Sequence, residues 1–364
     1  MQDTASSGVS GNVVTTSATE ANAWGVVGQY AAVEVLRRAI AGGHLAHAYL
    51  FAGPPGIGRA LLAQRLAQTL VCPSADDPTL PDLTTRASQQ IEAGTSPDIE
   101  RISIRGVCDE ASHDHTTDTS TRIRICQIRR LERVASMAPF AVSRRIFIID
   151  SADDLQADAA HAILKTLEEP PGEAVLILLA SDVNALLPTI RSRCQEIVLR
   201  PMPHTELAAA LRERTGLAAE DAASLARLAH GRFGLAMRMH ADPSIAVLRQ
   251  SATDDMRRLM RGGRNERFDV ADRLGSAWYR ERESVLATVD LWRDWWREVL
   301  LATSGLEASP EAMEDARGLT SADAVRALRA LQTARQHLLG NTNASLALEV
   351  MMLDLPQLAT AGAV

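Results

Sequence analysis

The sequence predicts an α/β fold built on a parallel sheet and followed by an all-helical half. Three observations carry that prediction. Short apolar runs alternate with helical patterns from about residue 30 to 200, the pattern of a parallel sheet covered by helices on both faces. One run, residues 48–52, leads straight into a glycine-framed loop, GPPGIGRA at residues 53–60. After Pro201 and Pro203 the strand patterns stop and helical spacing takes over.

The first 22 residues are rich in Ser, Thr, Ala and Gly, with neither a basic start nor an apolar stretch, and are expected to be a flexible tail. Strand-length runs follow at 48–52, 99–104, 145–150, 175–180 and 196–199. Residues 60–70 continue from the loop as an amphipathic helix. Ile125, Ile128, Leu131, Val134 and Ala135 share one helical face, and residues 155–168 form a helix that Pro170 and Pro171 end. Two stretches interrupt the alternation. Residues 73–98 are polar and contain proline, and residues 107–121 (VCDEASHDHTTDTST) are expected to be a mobile acidic loop. His113 and His115 stand in that loop among Asp and Thr, which favours solvated side chains over metal ligands. Residues 205–240 read as a small helical unit, and the helices from about 243 onward carry an aromatic stripe at Trp292, Trp295 and Trp296, expected to be bundle core. The five arginines of residues 257–267 read as an exposed basic loop or a DNA contact.

Length and composition narrow the function. A chain of 364 residues accommodates two or three domains. Its net charge of −7 argues against a stand-alone nucleic-acid binder, and no apolar run approaches the ~18 residues that a membrane helix needs. Cys72, Cys108, Cys126 and Cys194 are scattered without a C-x-x-C pair, which suits a reducing cytoplasm and gives no metal-site spacing.

The loop at 53–60 is where chemistry is expected. A working phosphate loop reads G-x-x-x-x-G-K-[ST]: backbone N–H groups cradle the phosphates, the Lys reaches them, and the hydroxyl holds Mg²⁺. Gly53, Gly56 and Gly58 keep the frame here, but Arg59 replaces the Lys and Ala60 the hydroxyl. Arg presents a wider, planar charge, and Ala60 offers a metal no oxygen. The second nucleotide motif, a strand ending in acids, is RIFIIDSADD at 145–154. Asp150 ends the strand as expected, whereas Ser151 occupies the position of a catalytic Glu.

HAYLFAGPPGIGRA, RRIFIIDSADDLQADAAHAILKTLEEPP and LPTIRSRCQEIVLRP together closely resemble the delta-prime subunits of bacterial DNA polymerase III clamp loaders, from residue 23 onward. The resemblance implies an AAA+ P-loop module at 23–202, with 73–121 a degenerate zinc-lobe region and mobile loop, a helical lid at 203–242, and a collar at 243–364 that joins subunits into a ring. It also implies a non-hydrolysing subunit in which Arg193, of the Ser192-Arg193-Cys194 triplet, reaches in trans into a neighbour's ATP site. ATP and Mg would then sit in the neighbour, while Gly53, Gly56, Gly58 and Arg59 would hold nucleotide weakly or not at all. The implied partners are the motor (gamma/tau) and delta subunits, the sliding clamp and, through the complex, primed DNA, in the cytoplasm and away from membranes. Direct DNA contact by Gln127, Arg129 or Arg130 is one reading; a polar helix face is the other.

Two departures refine this. The family often carries a four-cysteine zinc lobe after the phosphate-loop helix, but Cys72 is followed by no further Cys in 73–94. No bound zinc is therefore expected, and no metal ligand is assigned. Active relatives carry a lid arginine in G-x-x-R-x-A; at Gly231-Arg232-Phe233-Gly234-Leu235-Ala236 its place is taken by Gly234. The alternative is a divergent ATP-hydrolysing gamma/tau-like subunit or another AAA+ remodeller, against which Arg59, Ala60, Ser151 and Gly234 all argue.

Overall fold

The computed structural model describes residues 24–110, 113, 115, 120–140, 144–306, 308–340 and 343–357. The tail at 1–22 lies outside them. Strands β1 (Ala48–Ala52), β2 (Ile99–Ile102), β3 (Ile146–Ile149), β4 (Val175–Ala180) and β5 (Gln195–Val198) form one sheet in the order β2-β3-β4-β1-β5. Every pairing in it is parallel. β1, β3 and β4 are buried along their whole length, because AYLFA, IFII and VLILLA are apolar on both faces.

Alternate residues of each strand enter different cores. Tyr49, Phe51, Ile146 and Ile148 pack beneath α1 (Tyr30–Ala41), α2 (Arg59–Val71) and the short α3 (Arg86–Glu92). Ala48, Leu50, Phe147 and Ile149 pack beneath α4 (Ile125–Ala135) and α5 (Ala157–Glu168). The helix α6 (Pro188–Arg191) then delivers the chain to β5. Helix α3 lies inside the polar, proline-containing stretch 73–98; Thr85 caps it, accepting from the Ser88 N–H at 3.1 Å.

Helices α7 (His204–Thr215), α8 (Ala219–Leu228) and α9 (Phe233–Ala241) share a core of Leu207, Leu211, Ala226, Leu235 and Met239. The remaining helices are α10 (Pro243–Arg261), α11 (Arg264–Trp278), α12 (Arg282–Thr303), α13 (Pro310–Asp315), α14 (Ser321–Leu339) and α15 (Ala344–Asp354). Their common core contains the aromatic stripe: Trp292, Trp295 and Trp296 are all buried. No described helix is long and apolar enough to cross a membrane.

Residues 257–267 are not a loop. They end α10 and begin α11, broken only at Gly262 and Gly263. Arg267 is buried and donates to the carbonyls of Leu259, Met352, Leu355 and Pro356. Arg257 pairs with Asp315 at 2.9 Å. Carbonyls at helix ends lack intrahelical donors, and the five-donor fork of Arg267 satisfies several at once. These two arginines are structural.

Candidate functional site

The phosphate loop leaves the C-terminal end of β1, between β4 and β5. In open parallel sheets, ligand crevices form at that end of the strands. Gly53, Gly56 and Gly58 all adopt positive φ, and Gly58, at φ 112°, caps α2. The four residues predicted to frame the loop are thus together, with Arg59 opening the helix and Ala60 exposed beside it.

Arg59 faces an acidic cluster rather than open solvent. Burial lowers its pKa, while Asp153, Asp150 and Asp154 oppose that shift, and its Nη1 is buried without a hydrogen-bond partner. A side-chain cation therefore lies toward the carboxylates that begin after β3. Those carboxylates are themselves engaged. Asp150 pairs with Arg101. Asp153 Oδ2 accepts from the backbone N–H groups of Ser181 and Asp182, both at 3.1 Å, and from the Ser181 hydroxyl. Ser151 sits in the left-handed region at φ 64°, ψ 53°, so the position of the expected Glu is a tight corner.

Asp154 stands 3.7 Å from Arg335 of α14. Burial, with Asp153 beside it, raises its carboxyl to about 6. A raised folded value contributes stability that is complete below the unfolded carboxyl pKa and lost as pH rises through about 6. At neutral pH the ionised group therefore weakens the fold by at most about 3 kcal/mol. Asp154→Asn is expected to raise the unfolding temperature relative to wild type at pH 7.5 and to have little effect at pH 5, as thermal melts at both values would reveal.

The first turn of α9 lies directly on the loop. The Leu235 N–H donates to the Gly56 carbonyl at 3.1 Å. A Cβ on Gly234 would come within 2.9 Å of that same oxygen, and one on Gly56 within 2.8 Å of Leu235 Cβ. Gly234 thus does more than lack an arginine: its bare backbone permits the contact. Gly234→Ala is expected to cost about 1–3 kcal/mol despite alanine's better helix propensity. Chemical denaturation would measure it, and an unchanged stability would mean that the contact is loose. Arg238, one turn further along α9 and outside the lid motif, places its Nη2 beside Gly56. Its i, i+4 spacing from Gly234 was the available signal.

Arg232, three residues from the loop-contacting Leu235, turns away from the loop. Its Nη1 meets Asp294 of α12 at 2.8 Å, and Arg249 of α10 approaches the same carboxylate at 3.4 Å. This junction borders a cavity of about 650 Å³ that Gly53, Pro54, Asp294 and Glu298 help to line. Its lining mixes carboxylates (Asp182, Glu196, Asp294, Glu298) with Arg200, Arg232 and Arg297, and neither Gly56 nor Arg59 lines it.

Arg193 is elsewhere. Gln195 pairs with Tyr49, so Arg193 precedes the N-terminal end of β5, while the phosphate loop follows β1 at the other end of the sheet. Four residues of strand, about 13 Å, separate the two levels. Its Nη2 pairs with Glu168 at 2.6 Å, and its Nη1 donates to the Thr189 carbonyl at 2.9 Å. Both its side chain and that of Glu168 are partly exposed. Next to it, burial pushes the Cys194 thiol up to about 12, fitting a packed rather than a reactive sulfur.

Other sequence expectations change. Gln127 is buried; its amide donates to the carbonyls of Ser103 and Gly106, and its oxygen accepts from the Arg124 N–H. Arg130 is held by Glu100 and Asp109, both at 2.7 Å. Both serve packing around α4, leaving only Arg129 exposed. His115 is not solvated but buried, with Nε2 3.3 Å from Cys126 Sγ. The separation of these two residues in sequence had concealed the pairing.

The sheet order, the loop after β1, the acids after β3 and the start of α9 resting on the loop define an AAA+ α/β module. Residues 28–203, just under half of the chain, match the family model described as DNA polymerase III, delta subunit. The DNA polymerase III subunit delta' of Pseudomonas aeruginosa is 34% identical over 151 residues, covering 41% of this chain and 42% of that protein. The subunit delta' of Bacillus subtilis is 30% identical over 170 residues, 47% of each chain. A gamma/tau subunit from Mycobacterium bovis is 33% identical over 201 residues, 54% of this chain and 32% of its own. The resemblance read from the motifs therefore holds across the module, and the chain spans less than half the length of these relatives. Among solved structures, a gamma subunit-related protein of Thermotoga maritima aligns with 88% of this chain and 97% of its own at 17% identity, with a TM-score of 0.37, too loose to assign any residue a role.

Proposed function

We propose that this chain is a delta-prime-type subunit of a DNA polymerase III clamp loader that does not itself hydrolyse ATP. In this reading Arg193 completes the ATP site of a neighbouring gamma/tau motor subunit, and the helices from α10 onward form the collar that joins motor, delta and this chain. The assembled complex loads the sliding clamp onto primed DNA. ATP and Mg²⁺ work in the motor subunit; this chain requires neither.

The observation that carries the reading is the placement of Arg193 at the opposite end of the sheet from its own phosphate loop. An arginine there cannot serve that loop, but it can serve the next subunit of a ring. Arg59, Ala60, Ser151 and the lid contact at Gly234 support an idle loop, since phosphoryl transfer depends on metal, water orientation and charge neutralisation together. The gamma/tau match favours a second reading, a divergent motor, because it covers more of this chain than either delta' match. ATP turnover separates the two: the isolated chain should have none above background, and steady hydrolysis would support the motor.

A further inference from the structure

The connection from β2 to α4 brings four metal-ligating side chains to one point. Cys108, His113, His115 and Cys126 each present one donor atom, and all four atoms lie within 4.8 Å of one another. Cys126 Sγ is 3.3 Å from His115 Nε2, and Cys108 Sγ is 3.9 Å from His113 Nδ1. The two imidazoles meet edge to face with centroids 5.6 Å apart. Zinc–sulfur and zinc–nitrogen bonds of about 2.3 and 2.0–2.1 Å set tetrahedral donors roughly 3.3–3.8 Å apart. The cluster thus needs a modest contraction, not a rearrangement.

We propose that Cys108, His113, His115 and Cys126 form a structural zinc site. Four protein ligands close a tetrahedral shell and leave no open position, as structural sites do. Two thiolates and two neutral imidazoles cancel the charge of Zn²⁺, so no net charge is buried. Thiolate and imidazole donors suit zinc, whereas magnesium and calcium need oxygen. Binding releases the two thiol protons to solvent.

The surroundings fit a staple. Cys126 is the second residue of α4 and is buried, as is His115. Cys108 and His113 come from the more exposed side. Two ligands are therefore fixed against the module's core, and two close over them. The ion would take His113 Nδ1 from Glu110, whose carboxylate is 3.3 Å away. Cys126 lies one turn beyond Arg122, whose Nε donates to the Leu339 carbonyl of α14, so the ion would sit beside a contact between the module and the C-terminal helices. The site is separate from Cys72, on which the expectation of no zinc was argued.

The test is metal content of the full chain, purified without chelator and, separately, stripped and reloaded with Zn²⁺ alone. Roughly one zinc per chain is expected in wild type and in the controls Cys72→Ser and Cys194→Ser. In Cys108→Ser/His113→Asn, which alters only the two outer ligands, retained zinc should fall at least about tenfold. Circular dichroism would establish that this variant is folded. Co²⁺ in place of zinc should give the visible bands of a tetrahedral thiolate site in wild type and lose them in the variant. Zinc-free wild type after reloading, full retention by the double variant, or a Cys108–Cys126 disulfide would each overturn the proposal.

Discussion

Arg193→Ala is expected to slow ATP hydrolysis at the neighbouring motor site by about 10³-fold, the lower end of what a guanidinium supplied in trans contributes. Glu168 now occupies Arg193 Nη2, and the Thr189 carbonyl steadies Nη1. A carboxylate held in this way stands where phosphate oxygens would bind, because the guanidinium fork pairs with either anion. Arg193→Lys keeps the charge but loses the fork, so it should recover little of the rate. The fold should not suffer, since an exposed pair of this kind contributes only about 0–1 kcal/mol. Complexes whose other motor sites carry inactivated phosphate loops would read the neighbouring site alone, with size-exclusion chromatography verifying assembly.

Asp294→Ala should produce the largest loss of stability, about 3–5 kcal/mol. The side chains of Arg232 and Arg249 are 4% and 10% exposed, and both charges would remain buried without their shared carboxylate. Burial alone would raise the Asp294 carboxyl, but Arg232 and Arg249 outweigh it and hold it below the ordinary range. A depressed value contributes stability present above the unfolded carboxyl pKa and lost as pH falls through the folded one. The Asp294 contribution to this junction of α9, α10 and α12 should therefore hold from neutral to about 5 and fade in stronger acid, below about 4. Thermal melts, together with proteolysis at the α9–α10 connection, would detect both effects. An unchanged melting temperature in Asp294→Ala would mean that the junction contributes little.

The sheet was legible because its central strands are apolar on both faces, and the loop because glycines at fixed spacing have few substitutes. The Trp stripe was legible from its helical spacing. What escaped were contacts between residues far apart in sequence. Arg267 read as a surface charge because the carbonyls it satisfies, at Leu259 and beyond Met352, come from two different helix ends. Gln127 read as a DNA contact or a polar helix face because the turn it holds, at Ser103 and Gly106, follows β2 rather than lying on its own helix. The Cys108–Cys126 cluster escaped because its ligands follow no familiar spacing. Arg238 escaped because the lid motif directs attention to Gly234 alone.

On the proposed function, the chain's own loop is idle while Arg193 works in a neighbour. The most direct measurement compares ATP hydrolysis by reconstituted complexes carrying Arg59→Gln or Arg193→Ala in this chain, at equal composition and with clamp and primed DNA present. Wild-type rates are expected for Arg59→Gln, and a collapse at the neighbouring site for Arg193→Ala. Full activity with Arg193→Ala, or a collapse with Arg59→Gln alone, would contradict the proposed function.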